Sequence, residues 1–80
     1  MENMIYGLNA SEVADFVEEE VRWMFHDCEE IGSSDITLCA LGACQRLWPT
    51  ERYHSDEFSA TFHQVRTLVQ YFIREGHFRG

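Results

Sequence analysis

The sequence predicts an all-α protein, a compact three-helix bundle with a short N-terminal arm. Three stretches repeat apolar residues at steps of three and four, the spacing of one face of an α-helix. Breaks rich in glycine, serine or proline separate these stretches. The chain has 80 residues, 45% of them hydrophobic and 14% aromatic, which suits one small domain with a thin core. We therefore predict a single domain over residues 1–80.

The first helix is predicted at residues 10–31. Asn9 is a suitable N-cap, and Glu12 three residues later stands in the capping-box position. Gly32 is placed to end the helix in the left-handed conformation. The segment "MIYGL" before the helix is expected to pack across one end of the bundle. The apolar face of this helix consists of Val13, Val17, Val21, Met24, Cys28 and Ile31.

Two further helices are predicted at residues 35–47 and 55–75. Ser34 is placed to cap the second helix, and Pro49 stops it. The many small residues of this helix allow close approach of a neighbouring backbone. Ser55 begins the third helix and Gly76 ends it. The third helix has the clearest apolar face in the chain, formed by Phe58, Phe62, Val65, Leu68, Val69, Phe72 and Ile73.

The formal charge of −8 is unevenly distributed along the chain. Residues 1–35 hold ten acids and one arginine, a net charge of −9, whereas residues 36–80 hold four acids and five arginines, a net charge of +1. Such a negative region repels nucleic acid and anionic membranes and attracts basic protein surfaces. We therefore expect a basic protein partner, no membrane, and no direct binding of nucleic acid.

The sequence carries no recognisable catalytic or cofactor signature. His26 and Cys28 are two residues apart and Cys39 and Cys44 are five apart, and neither spacing suits a zinc site on a helix. We expect no enzyme activity, no cofactor and no metal. The N-terminus has no basic signal segment and no apolar run is long enough to span a membrane, which indicates a cytoplasmic protein. Free thiols are expected, with an intermolecular disulfide as the alternative.

The first helix carries a shoulder that mixes aromatic and acidic residues. Steps of about 100° per residue place Phe16 and Trp23 about 100–120° from the centre of the apolar face. Asp27, Glu29 and Glu30 stand in the predicted last turn, where the helix dipole disfavours negative charge. Either the two aromatics cover the N-terminal arm or the second helix, or they anchor a partner. In the second case the predicted partner-binding residues are Glu12, Asp15, Phe16, Glu19, Glu20, Trp23, Asp27 and Glu30.

The size, the single helical domain and the acidic run from Glu18 to Glu30 resemble the small acidic inhibitors made by phages. Anti-CRISPR proteins are the best-known group of these inhibitors. The resemblance implies a non-enzymatic DNA mimic that occupies the basic groove of a nucleic-acid-binding protein, such as a CRISPR effector, in place of phosphates. These inhibitors share no common motif, so the resemblance assigns no role to any single residue.

An alternative function concerns the third helix. His63, Arg66, Gln70 and Arg74 lie on its outward side, where they can meet phosphates and base edges. The stretch over residues 53–80 loosely resembles the end of a winged-helix DNA-binding domain. It lacks the turn before a recognition helix and the wing, and the overall charge is negative. A homodimer formed through the hydrophobic shoulder is a further alternative.

Overall fold

A computed structural model describes residues 3–49 and 56–76 of the chain. Within these ranges a two-stranded hairpin precedes three helices, and the radius of gyration of the Cα atoms is 12.3 Å. The value is that of a compact chain of this length. The three helices confirm the predicted helical bundle, whereas the two-stranded hairpin departs from the predicted all-α fold. In chain order the elements are β1 (Met4–Ile5), β2 (Leu8–Asn9), α1 (Ala10–Phe25), α2 (Ser33–Leu47) and α3 (Asp56–Arg74).

The N-terminal arm is a β-hairpin, which the sequence did not predict. The strands pair antiparallel, with Met4 opposite Asn9 and Ile5 opposite Leu8. Both residues of the turn have positive φ, 47° at Tyr6 and 87° at Gly7, as the tight hairpin turn with the right twist requires. Glycine is usual in such a turn, but tyrosine seldom adopts positive φ. The sequence Tyr6-Gly7 therefore did not indicate the hairpin.

An aromatic cluster holds the hairpin against the helices. The ring centroid of Tyr6 lies 6.1 Å from that of Trp48 and 5.1 Å from that of Phe58, both in edge-to-face geometry. The indole Nε1 of Trp48 donates a hydrogen bond to the carbonyl oxygen of Tyr6 at 3.0 Å. The arm therefore packs where α2 has ended and α3 has begun, which is the end-on packing that the sequence predicts for this segment.

Helix α1 begins as predicted but ends six residues early, at Phe25. The Asn9 carboxamide oxygen accepts hydrogen bonds from the backbone N–H groups of Ser11 and Glu12, at 2.9 and 3.4 Å. The predicted extension to residue 31 is wrong, because residues 26–32 form a connection outside the helix. Ending at Phe25 keeps three carboxylates out of the last helical turn, where the dipole would oppose them.

Helix α2 is capped by residues other than those predicted. Gly32 has a φ of −85° and is the N-cap of α2, so it is not the left-handed end of α1. Its backbone N–H donates to the Asp35 carboxylate at 3.0 Å, while Ser34, the predicted cap, lies inside the first turn. The helix ends at Leu47, as predicted.

Helix α3 ends as the sequence predicts. Its last helical residue is Arg74, and Gly76 follows with a φ of 73°, a left-handed conformation that glycine adopts without strain. The backbone N–H of Gly76 donates to the carbonyl oxygen of Ile73 at 3.1 Å. The predicted start at Ser55 lies outside the described residues.

The core lies between the three helices. In α1, Phe25 is buried, whereas Met24 is 38% exposed and Cys28 is also exposed. Both belong to the predicted apolar face, which is therefore wrong at these two positions: Cys28 lies beyond the end of α1, and Met24 is exposed in its last turn. Across the described residues the buried apolar set is Val13, Val17, Val21, Phe25, Cys39, Ala40, Ala43, Cys44, Trp48, Phe58, Val65, Val69 and Phe72.

Candidate protein-binding surface

Trp23 is the most exposed large hydrophobic residue among those described. Its relative exposure is 70%, whereas that of Trp48 is 6%. Phe16, two turns before Trp23, is half-buried and packs against the core. Of the two aromatics, Phe16 therefore has a structural role, while Trp23 is mostly exposed to solvent.

Carboxylates accompany Trp23 on the same side of α1. Glu19 lies one helical turn before Trp23, and Glu12 lies about 20° from it around the helix axis. Both are exposed, and neither forms an ion pair within residues 3–49 and 56–76. Asp15 is exposed as well, but lies about 80° from Trp23 around the helix axis.

The His26 ring links Trp23 to Asp27. Its Nδ1 lies 3.1 Å from the carbonyl oxygen of Trp23, and its Nε2 lies 2.9 Å from the Asp27 carboxylate. Both ring nitrogens thus face oxygen atoms. Asp27 is exposed and follows Trp23 by four residues. We define the Trp23 surface as Glu12, Glu19, Trp23 and Asp27.

Glu20 does not belong to this surface, contrary to the prediction. Its carboxylate forms an ion pair with Arg46 of α2, and its side chain is only 13% exposed. Burial first, and then the charge of Glu20, raises the pKa of the Cys39 thiol to about 11. Glu20 therefore connects α1 to α2 in the packed part of the protein.

The connection between α1 and α2 explains part of the acidic run. Asp27, Glu29 and Glu30 lie beyond the end of α1 and just before the N-terminus of α2. Negative charge is favourable near a helix N-terminus and unfavourable near a C-terminus. Glu30, two residues before the N-cap Gly32, is therefore better placed than the longer helix implied, whereas Asp27 still follows the C-cap of α1 directly. Glu30 is exposed in this connection. Residues 10–32 still hold eight acids and one arginine, a net charge of −7.

The predicted alternative site on α3 does not form one exposed patch. Arg66 is half-buried, and its Nε donates to the Thr37 hydroxyl on α2 at 3.2 Å. Gln70 is half-buried, while His63 and Arg74 are exposed. Arg66 therefore helps to hold α2 against α3, and this arrangement gives no support to a DNA-reading helix face.

An open groove lies on the other side of α1, between the hairpin, α1 and α3. Its volume is about 590 Å³. Sequence reasoning missed this feature, for which the only signal is the pair of small residues Ala10 and Ala14 one helical turn apart. We name it the α1–α3 groove, and it is lined by Ile5, Ala10, Ser11, Ala14, His63, Gln64, Thr67 and Leu68.

Residues 3–49 and 56–76 form neither a metal-binding cluster nor a membrane-spanning helix. No three His, Cys, Asp or Glu side chains there are grouped so as to hold a metal ion. No helix in these ranges has the length and apolar character needed to cross a bilayer. Cys28 is an exposed free thiol, and Cys39 and Cys44 are buried free thiols.

No protein-family model matches the sequence, and no significant match was found among curated proteins or solved structures. We therefore base the function on the geometry and charge of the described surface.

Proposed function

We propose that the protein is a non-enzymatic binding protein that inhibits a nucleic-acid-binding protein by occupying its basic surface, in the manner of anti-CRISPR proteins. The observation that carries the proposal is the 70% exposure of Trp23 beside exposed carboxylates, of which Glu12 and Glu19 form no ion pair within the described residues. Exposed tryptophans are frequent binding hot spots, because a partner pocket can cover a large apolar ring at little cost in side-chain entropy.

The charge of the region selects the kind of partner. A net charge of −7 over residues 10–32 attracts a basic surface and speeds association at low ionic strength. Arginine and lysine side chains that bind phosphates also form charge-assisted hydrogen bonds with carboxylates. An arginine of the partner can also stack on the indole face of Trp23 while it pairs with Glu19 or Asp27. Both contacts favour a partner with a nucleic-acid groove.

The proposal is tested with purified CRISPR effectors loaded with guide RNA and a fluorescent target duplex. Adding the protein should lower the anisotropy by displacing the duplex, and this effect should weaken as the salt concentration rises. Trp23→Ala should weaken inhibition by about tenfold or more. Leu38→Ala is the matched control, because Leu38 is a large hydrophobic residue of α2 that is 60% exposed and is not part of the Trp23 surface.

A second pair of variants separates the Trp23 surface from overall charge. Glu19→Lys and Glu75→Lys each change the charge by +2 at an exposed glutamate, the first on the surface and the second after the end of α3. Glu19→Lys should weaken inhibition far more than Glu75→Lys. Equal effects would reduce the interaction to non-specific attraction and contradict the proposal. Duplex binding that stays unchanged with every effector tested would remove the anti-CRISPR role.

A further inference from the structure

We propose that the α1–α3 groove docks a basic amphipathic helix of a partner protein. This site is separate from the Trp23 surface: Ala14 and Trp23 are nine residues apart, which at about 100° per residue places them on opposite sides of α1. The inference therefore does not rest on the proposed function, and a partner can use either surface or both.

The shape of the groove suits an added helix. Ala10 and Ala14 lie one turn apart and line its α1 wall, while Leu68 lines its α3 wall. Small side chains on one helix leave a channel into which the apolar ridge of another helix can pack. An amphipathic helix presents such a ridge through residues at i, i+3, i+4 and i+7.

The charge beside the groove selects a basic occupant. Ser11 and Ala14 line the groove, and one turn further along α1 the same two rows continue with Asp15 and with Glu18, which forms an ion pair with Arg22. Asp15 is exposed, so it can pair with a lysine or arginine on the flank of a docked helix. A second copy of this chain is disfavoured as occupant, because its formal charge is also −8.

The test uses labelled synthetic peptides of about 14 residues, four helical turns, and fluorescence anisotropy at about 0.15 M salt. One peptide places leucines at i, i+3, i+4 and i+7 and lysines elsewhere. The second has the same composition in scrambled order, and the third has glutamate for lysine. We expect the amphipathic lysine peptide to bind at least about tenfold tighter than either of the others.

Variants locate the binding. Thr67 is an exposed residue of the groove, and Thr67→Trp should fill the groove and weaken peptide binding by about tenfold or more. Ser11→Trp fills the groove from its α1 wall. It replaces Thr67→Trp in this test if circular dichroism shows that Thr67→Trp is unfolded. Gln45→Trp adds the same bulk at an exposed position on α2 and should leave binding unchanged. Trp23→Ala should also leave it unchanged.

Three results would overturn the proposal. Equal binding of the amphipathic and scrambled peptides would mean that charge alone attracts them. Loss of peptide binding in Trp23→Ala, with normal binding in the groove variants, would place the peptide on the Trp23 surface. A wild-type dimer that Thr67→Trp converts to a monomer in sedimentation would make a second copy the occupant. If the protein does not inhibit CRISPR effectors, the proposed function fails, but peptide binding in the groove still tests the docking proposal independently.

Discussion

Replacing each of the two tryptophans with alanine compares an exposed indole with a buried one in the same chain. Trp48 is 6% exposed and Trp23 is 70% exposed. We expect Trp48→Ala to lower the free energy of unfolding by about 3–5 kcal/mol, as removal of a buried aromatic ring usually does. The loss of the indole donor to the carbonyl oxygen of Tyr6 adds about 1 kcal/mol.

Trp23→Ala should cost much less. An aromatic side chain buries about 150–250 Å² when it is fully covered. With 70% of Trp23 exposed, only about a third of that area is lost, which at about 25 cal/mol per Å² is at most about 2 kcal/mol. Exposed truncations often cost about 0.5 kcal/mol or less. The two variants should therefore differ by about 2 kcal/mol or more.

Urea unfolding followed by circular dichroism measures this difference. A folded chain of 80 residues is stable by only about 4–12 kcal/mol, so Trp48→Ala can be partly unfolded without denaturant. Trp48→Phe is then the usable variant, since it keeps an aromatic ring beside Tyr6 and Phe58 and removes only the donor and part of the volume.

Fluorescence gives an independent check on the same pair. Trp23→Phe leaves Trp48 as the single indole, which should emit at shorter wavelength and resist quenching by acrylamide. Trp48→Phe leaves Trp23, which should be quenched readily. Slow quenching of Trp23, equal to that of Trp48, or a loss of stability in Trp23→Ala as large as that in Trp48→Ala, would mean that Trp23 is buried. The proposed binding surface would then lose its anchor.

Three further predictions concern the cysteines and the ion pair between α1 and α2. Cys28 is exposed, whereas Cys39 and Cys44 are buried, so a thiol reagent at neutral pH should label one thiol quickly and the other two only in urea; rapid labelling of all three would contradict this burial. Burial raises the pKa of Cys39 and of Cys44 from 9.0 to about 11. Between these values the unfolded chain releases protons that the folded chain keeps, so the free energy of unfolding should fall above pH 9.0 by about 1 kcal/mol per pH unit for each thiol. Alanine at either cysteine should make this fall shallower in urea titrations, and an unchanged slope would exclude that thiol as its source. Arg46→Gln leaves the mostly buried Glu20 carboxylate without its partner and should cost about 1–2 kcal/mol. Glu20→Gln in the same chain should restore part of that loss, and strictly additive costs would argue against the pair.

Local signals were sufficient where one short segment decides the structure. Asn9 caps α1 through its own side chain, and Gly76 follows α3 in the left-handed conformation. Both depend on contacts within a few residues. The apolar spacing of three and four likewise identified the buried faces of the helices, because it reflects the helix repeat alone.

Features that depend on distant residues could not be predicted from the sequence. Glu20 looked like any other acid of α1, and only its contact with Arg46, 26 residues away, removes it from the surface. Similarly, nothing near Trp23 and Trp48 distinguishes the exposed ring from the buried one. The early end of α1 was missed because Cys28 and Ile31 happen to continue the helical spacing.

The hairpin gives the N-terminus a role in shaping a surface that lies mostly on the helices. Ile5 belongs both to β1 and to the wall of the α1–α3 groove, and Tyr6 beside it is fastened to Trp48, 42 positions along the chain. Local opening of such a short hairpin takes far less free energy than global unfolding. Each opening would move Ile5 out of the groove wall. The contacts of Tyr6 with Trp48 therefore help to keep one side of the α1–α3 groove in place.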